Sequence, residues 1–148
     1  MAQEIKISNT LSAYGAFVTY VPLKGEVPFN DYLSLPKEAV QYKITPRASL
    51  NPEREAEAAR AAAKGLPVAI LMPGRAFDIH GTRHGQGGGW YDRFLGFVPK
   101  GWLRVGFCYP TQFFEGPITR EPWDQLMDYV CVADGSELVV YHTKARGI

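Results

Sequence analysis

The chain has 148 residues, 46% hydrophobic and 21% charged, the length and composition of one soluble globular domain that can bury roughly two thirds of its unfolded surface. Sixteen basic and fifteen acidic residues leave a formal net charge of +1, so the charge balance gives no reason to expect nucleic acid or an acidic membrane as a partner. No apolar run reaches transmembrane length and no signal peptide is evident, so a cytoplasmic protein with no membrane partner is expected.

Residues 1–12 show only weak periodicity. Ala13 to Val21, AYGAFVTYV, is rich in aromatic and β-branched residues and reads as a strand. Leu23 to Ala48 holds Gly25, Pro28, Pro36 and Pro46, which argues against long helices there. A helix is then well specified. Asn51 suits the N-cap and Pro52 the first turn. Glu53, Glu55 and Glu57 complement the positive end of the dipole, and an alanine-rich run leads to Lys64 and the stop at Gly65. The alanine face permits close packing on a sheet.

Leu66 to Met72, LPVAILM, is a short apolar run bounded by Pro67 and by Pro73-Gly74, the form of a buried strand. Farther on, Leu103 to Tyr109 reads as a strand and Thr111 to Arg120 as a loop. Met127 to Ala133 and Leu138 to His142 read as two strands around the turn dipeptide Asp134-Gly135. Strands separated by helices and long loops predict an α/β layered fold. Cys108 and Cys131 lie in apolar runs without metal-type spacing. Buried free thiols in a reducing compartment are expected. His80 and His84, four apart but beside Gly81 and Gly85, read as loop residues, and His142 has no evident partner.

The most informative stretch runs from Pro73 to Leu95, PGRAFDIHGTRHGQGGGWYDRFL. The order is strand, glycine-rich loop, helix start near Trp90. Glycines let backbone N–H groups turn toward a phosphate, a helix start adds a positive dipole end, and Arg83 offers a charged fork. The loop is neither G-x-G-x-x-G nor a Gly-Lys-Ser/Thr P-loop. On glycines alone, a tight turn with no ligand is an equal reading. From residue chemistry alone, Asp92 reads as a helix cap paired with Arg93, Phe77 as core, Asp124 as a surface aspartate, Glu26 as a solvated loop glutamate and Asp78 as a turn residue.

In one register, however, the stretch carries Pro73, Ala76, Phe77, Asp78, Gly81, Arg83, Gly85, Gly87, Gly89, Tyr91, Asp92, Arg93 and Leu95. It resembles the 5-formyltetrahydrofolate cyclo-ligase (methenyltetrahydrofolate synthetase) family, whose signature reads approximately P-x-x-A-F-D-x-x-G-x-R-x-G-x-G-x-G-Y-Y-D-R-x-L. Trp90 replaces the first tyrosine. Looser likeness continues through Gly106, Gln112 and Pro122-Trp123-Asp124, and is faint before residue 65.

The resemblance implies a three-layer α/β sandwich with a largely parallel central sheet, similar to the NagB/RpiA/CoA-transferase-like fold, with the ligand site beyond the carboxyl end of the strand at 66–72. It implies that ATP phosphorylates the formyl oxygen of 5-formyltetrahydrofolate, that N10 then attacks, and that phosphate leaves to give 5,10-methenyltetrahydrofolate. The partners implied are the folate and ATP, with Mg²⁺ as cofactor. Catalytic roles fall on Arg83, Tyr91 and Asp92. ATP and phosphate contacts fall on Arg83, Gly85, Gln86, Gly87, Gly88, Gly89, Trp90 and Tyr91, and substrate contacts on Glu26, Phe77, Trp90 and Tyr91. Asp92 and Asp124 would hold the metal.

The chain departs from the family in two places. The family carries an N-terminal helix with Lys-x-x-x-Arg that grips ATP, whereas residues 1–12 hold Lys6 and no arginine, and Lys43 to Arg47 has Pro46 inside it. Residues 1–148 are therefore expected to form a single cyclo-ligase-like domain lacking that helix, with a homo-oligomer as one way to replace it. The loop also has Gln86 and Gly88 and so lacks the extra basic residue of many members, leaving fewer cations for phosphate. A non-catalytic folate or nucleotide binder, or an ATP-dependent enzyme on another formyl, carboxylate or amide compound, are the alternatives.

Overall fold

The computed structural model describes residues 6–45, 50–85 and 89–148. In chain order these form α1 (Ile7–Leu11), β1 (Ala16–Tyr20), a 3₁₀ turn (Phe29–Asp31), β2 (Val40–Ile44), α2 (Pro52–Ala63), β3 (Val68–Pro73), β4 (Ala76–Asp78), β5 (Arg83–His84), α3 (Trp90–Gly96), β6 (Leu103–Cys108), a second 3₁₀ turn (Pro110–Gln112), β7 (Phe113–Phe114), β8 (Tyr129–Asp134) and β9 (Glu137–His142).

Continuous apolar strands pack on both faces and so pair in parallel beneath helices. β1, β3, β6 and β8 are such strands, and they form the centre of a six-stranded sheet ordered β2-β1-β3-β6-β8-β9. All its pairings are parallel except the last: β9 returns antiparallel from Asp134↔Glu137 to Tyr129↔His142. β2 was not expected. Its sequence VQYKI alternates, with Ile44 fully buried and Gln41 and Lys43 exposed, as suits an edge strand half in water. The prolines around it exclude helix without excluding a short extended edge.

Helix α2 follows the sequence closely. Asn51 accepts from the Glu53 and Arg54 backbone N–H groups at 2.9 and 3.2 Å, and Lys64 ends the helix in the left-handed conformation before Gly65. Its buried face is Ala56, Ala59 and Ala63. These small side chains lie close to the sheet, in one core cluster with Val18, Ile70, Met72 and Phe94. On the opposite face, Ile7 and Leu11 of α1, with Val27, Phe29 and Leu33, cover Phe17, Leu71, Val105, Phe107 and Cys131. The result is three layers, as expected. Both cysteines are buried free thiols, and desolvation raises both, Cys108 to about 12.

A second, three-stranded sheet, β5-β4-β7, lies beyond the carboxyl end of β3. Its antiparallel β4–β5 pair and parallel β4–β7 pair are only two residues deep each. It is joined to the main core through Phe77, which is fully buried. A Cβ at Gly74 would sit 2.7 Å from that ring, and one at Gly106 would overlap it. The glycines thus admit the ring against two strands at once.

Gly106→Ala therefore forces Phe77 or β6 to shift. The expected cost is about 1–3 kcal/mol, the usual penalty for overpacking a close-packed core. Urea unfolding of the variant measures it, and a loss below about 0.5 kcal/mol would show that Phe77 does not anchor the small sheet.

Candidate functional site

β3 delivers the chain to the carboxyl edge of the parallel sheet, where it turns through Gly74-Arg75 into the β4–β5 hairpin, the glycine stretch and α3. The hairpin is fixed by Asp78, which is fully buried. Its Oδ1 accepts from the His80 and Thr82 N–H groups at 2.9 Å each, and its Oδ2 from Ile118 N–H at 3.0 Å. A carboxylate holding three backbone donors organises a turn and is left with little capacity for a ligand. Gly81, at φ +93 with its Cα facing the Met127 carbonyl, completes that turn where a side chain would clash.

Arg83 lies on β5, half-buried, with Nε donating to the Pro73 carbonyl at 2.7 Å. Its guanidinium stacks 4.7 Å above the Tyr91 ring. Burial lowers its pKa, partly offset by Tyr91, Asp92 and Glu26. Tyr91 is buried, and its hydroxyl has no hydrogen-bond partner among the described residues. Burial raises the phenol, with Arg83 pulling it back, so it stays a protonated donor at neutral pH. Trp90 is half-buried, stacked on Phe94 at 5.4 Å, with its indole N–H donating to the Leu50 carbonyl at 3.2 Å.

Gly89 begins α3 at φ +65 and Gly85 lies beside the Arg83 guanidinium. Gln86, Gly87 and Gly88 lie outside the described residues. α3 has only seven residues, so its dipole is short, and any grip on phosphate must come mainly from the loop and from side chains.

Asp92 makes no cap on its own helix. It reaches across to the segment before β8, where its Oδ1 accepts from Gln125 N–H at 3.0 Å. The neighbouring Asp124 turns back on Glu121 N–H through Oδ2 at 2.9 Å. The two expected metal ligands thus belong to segments joined by a hydrogen bond, and each keeps one carboxylate oxygen without a hydrogen bond among the described residues. No group of three or more His, Cys, Asp or Glu is placed to hold a metal ion among the described residues. Two carboxylates suit Mg²⁺, which keeps waters and phosphate oxygens for its remaining positions.

Phe77 corrects an expectation. Enclosed at 0% exposure, its ring supports the hairpin and has no face free for a ligand. Glu26 is half-buried at the turn after β1, its Oε1 accepting from Leu23 N–H at 2.9 Å. It lines a polar cavity of about 270 Å³ with Lys24, Gly25, Gly74, Arg75 and Gln112. Gln112 is committed to shape, accepting from Tyr109 N–H at 2.8 Å and donating to the Gly25 carbonyl at 3.3 Å. The cations Lys24 and Arg75 were not singled out from the sequence. The available signal was Arg75 directly after Pro73-Gly74, where a strand end meets a turn.

Lys43 lies on β2, so no helix carries it, and Arg47 lies outside the described residues. The Lys-x-x-x-Arg spacing recurs at Lys100 to Arg104, on the turn into β6, again without a helix. Arg104 is buried, and burial with Arg146 beside it brings it down to about 10, against the opposing pull of Asp128 and Asp92. His84 contacts the Thr119 carbonyl through Nε2 at 2.5 Å. His142 does have partners: its ring stacks on Tyr129 at 4.6 Å and its Nε2 meets the Ile148 carbonyl.

The fold is shared with a 5,10-methenyltetrahydrofolate synthetase from Mycoplasma pneumoniae, at a TM-score of 0.55 and 18% identity over 85% of this chain and 78% of that one. At that identity the likeness concerns the fold. In sequence, the chain is 37% identical over 61 residues to the 5-formyltetrahydrofolate cyclo-ligase of Mycoplasma genitalium, covering 41% of this chain and 36% of that relative. It is 40% identical over 75 residues to a mitochondrial 5-formyltetrahydrofolate cyclo-ligase of Arabidopsis thaliana, covering 45% of this chain and 27% of that relative. These matches span about a third of the relatives' length. A model of the 5-formyltetrahydrofolate cyclo-ligase family matches residues 18–133, and the chain belongs to that family.

Proposed function

We propose that the protein converts 5-formyltetrahydrofolate to 5,10-methenyltetrahydrofolate at the expense of ATP, in a Mg²⁺-dependent reaction at the carboxyl edge of the parallel sheet. The observation that carries this reading is the meeting of Arg83 on β5 with Tyr91 and Asp92 at the start of α3, with Asp92 tied to the Asp124 segment and Glu26 close enough to act electrostatically on Arg83 and Tyr91. Phosphoryl transfer is mostly positioning and charge stabilisation, and these residues supply both.

Each side chain has a role. Arg83, held by Pro73 and Tyr91, offers a pre-set positive charge beside the phosphates. Tyr91 offers a buried donor awaiting an acceptor, Trp90 offers flat area, and Glu26 offers a carboxylate to the polar edge of a pterin. Asp92 and Asp124 would hold Mg²⁺, which neutralises phosphate charge when bound. The two buried free thiols suit a reducing compartment such as the cytoplasm. Among the described residues no helix is long and apolar enough to cross a membrane.

Mixing the protein with 5-formyltetrahydrofolate, ATP and Mg²⁺ should generate the near-ultraviolet absorbance of the methenyl product. Folded protein that yields none over a wide range of enzyme concentration excludes the reading. Separate titrations with ATP·Mg²⁺ and with the folate then sort the alternatives. A non-catalytic relative binds one of them, and an enzyme for another substrate binds ATP alone.

Asp92→Asn keeps an Oδ1 for Gln125 N–H but removes the charge a metal requires. Stability should stay within about 1 kcal/mol, while Mg²⁺-dependent nucleotide affinity and turnover fall on the order of a hundredfold. Unchanged affinity would remove Asp92 from the metal site.

Tyr91→Phe deletes a buried hydroxyl that has no hydrogen-bond partner among the described residues. The free protein should be equally stable, or more stable by up to about 1 kcal/mol, since an unpaired buried donor is costly. Ligand affinity or turnover should fall about tenfold, the worth of one hydrogen bond to a charged acceptor. Loss of stability with ligand binding intact would mean that the hydroxyl serves the fold.

A further inference from the structure

The parallel strands run in the spatial order β2-β1-β3-β6-β8, so the chain steps one way from β1 to β2 and the other way from β1's far side through β3, β6 and β8. The direction reverses between β1 and β3. In open α/β sheets, ligands collect in the crevice that such a reversal leaves beyond the carboxyl ends of the strands. The polar cavity of about 270 Å³ lies there, walled by the turn after β1 (Lys24, Gly25, Glu26), the turn after β3 (Gly74, Arg75) and Gln112 after β6.

Two cations face one carboxylate in this cavity. Lys24 and Arg75 are both exposed, and neither forms an ion pair or a side-chain hydrogen bond among the described residues. Both are nevertheless held at the backbone. Arg75 N–H donates to the His84 carbonyl at 2.7 Å, which sets it across from Gly85 where the glycine stretch begins. Lys24 sits in a turn closed by Glu26 N–H on the Leu23 carbonyl and by Leu23 N–H on the Glu26 carboxylate, both at 2.9 Å, and braced by Gln112 on Gly25.

The glycine stretch from Gly85 to Gly89 contains no basic residue. Arg83, the cation before it, is held by the Pro73 carbonyl and the Tyr91 ring and brings a single positive charge. Among the described residues, Arg75, set across from Gly85, brings to the start of the stretch a positive charge that makes no ion pair or side-chain hydrogen bond.

We propose that Lys24 and Arg75 form an oxyanion subsite at the β1/β3 switch point, which takes a phosphoryl or carboxylate group of the ligand and supplies the positive charge that the glycine stretch lacks. Arg75 gives a planar fork and Lys24 a point charge, a pairing that suits a tetrahedral or planar oxyanion approached from two sides. Glu26, which lines the same cavity, excludes a ligand that is anionic throughout and favours one with a neutral or donor-bearing part beside its anionic group. The source of the oxyanion, nucleotide phosphate or folate carboxylate, rests on the cyclo-ligase reading, whereas the subsite itself does not.

The test is calorimetric titration of the wild type, Lys24→Ala, Arg75→Ala and the double variant with four probes: inorganic tripolyphosphate, ATP·Mg²⁺, 5-formyltetrahydrofolate, and 5-formyl-6-methyltetrahydropterin, which carries no carboxylate. Each single substitution should weaken at least one oxyanion-bearing probe about tenfold and the double about a hundredfold, the scale of charge-assisted hydrogen bonds. Melting temperature should not move. Parallel loss of tripolyphosphate and ATP·Mg²⁺ identifies a phosphoryl subsite. Loss for 5-formyltetrahydrofolate but not for the pterin identifies a carboxylate subsite.

If the wild type binds tripolyphosphate and the double variant loses it while neither ATP·Mg²⁺ nor a folate binds, the subsite stands and the cyclo-ligase reading falls. The subsite is overturned if the wild type binds none of the probes, or if the double variant weakens none of them by tenfold. Should the alanine variant unfold, Lys24→Gln with Arg75→Gln keeps side-chain length and is held to the same thresholds.

Discussion

The site depends on one contact, the Phe77 ring wedged against Gly74 and Gly106. A parallel sheet ends in a ragged edge of carbonyls and turns, and a two-residue-deep sheet such as β5-β4-β7 cannot hold itself there by its own ladder. The ring solves this by dispersion and burial, entering the main core from the small sheet. From Phe77 the order spreads to its neighbour Asp78, whose carboxylate gathers three backbone donors from two separate stretches of chain. Arg83 is then fixed across from Phe77 by strand pairing, and its guanidinium is brought over Tyr91. Core packing thus determines where the guanidinium of Arg83, two residues before the glycine stretch, can point.

A second anchor fixes the other wall. The segment 124–128 is tied down at every residue. Asp124 N–H donates to Glu121, Gln125 N–H to Asp92, and Met127 N–H to Gly81, while the Leu126 carbonyl accepts from Arg104. Asp128, buried, accepts from Arg104 N–H and takes a two-point bond from Arg146 at 2.9 Å on each oxygen. Arg146 also donates to the Lys100 and Trp102 carbonyls, clamping the chain after β9 to the entry of β6. An ion pair so enclosed is a weak net source of stability, because desolvation offsets most of its attraction, but loss of one member leaves an uncompensated charge. Its consequence here is geometric. The aspartate-bearing segment is held at both ends, so Asp92 meets a fixed partner.

Much of this was legible in the sequence, and the misses share a physical cause. The four central strands announced themselves as largely apolar, β-branched and aromatic runs, and α2 through its Asn51-Pro52 start and Gly65 stop, because burial on both faces and helix capping are local requirements. The carboxyl-edge location of Gly85 and Gly89, the two ends of the glycine stretch, followed from the strand preceding them. By contrast β4, β5 and β7 are two or three residues long, too short for any periodicity, and exist only because Phe77 and Asp78 are anchored elsewhere. β2 was hidden by flanking prolines that govern helices more than edges. Asp78 read as a turn residue and is one, but its bond to Ile118, forty residues away, has no local signal. Phe77 was assigned to a ligand because aromatic residues near a glycine loop suit both roles, and only the empty space at two glycines distinguishes them. Lys24 and Arg75 stand fifty-one positions apart and become neighbours only through the order of the sheet.

That separation bears on why charge would sit in the cavity wall. A cation placed within the chain's buried part is penalised by desolvation, as the lowered pKa of Arg83 records, and Arg83 offsets this with a carbonyl and an aromatic face. Lys24 and Arg75 are exposed and keep their water until a ligand displaces it. Their cost to the free fold is therefore small, and their attraction grows as a ligand closes the cavity and lowers the local dielectric. Tyr91 makes the opposite choice, since its buried hydroxyl costs the free fold a lost hydrogen bond that an incoming acceptor would restore. A site built from both kinds of residue holds its geometry through the buried ones and gathers charge through the exposed ones. The stability spent on Tyr91 and Arg83 is borne by the packed sheet behind them, which is why the contact between Phe77 and its two glycines governs the site without lining it.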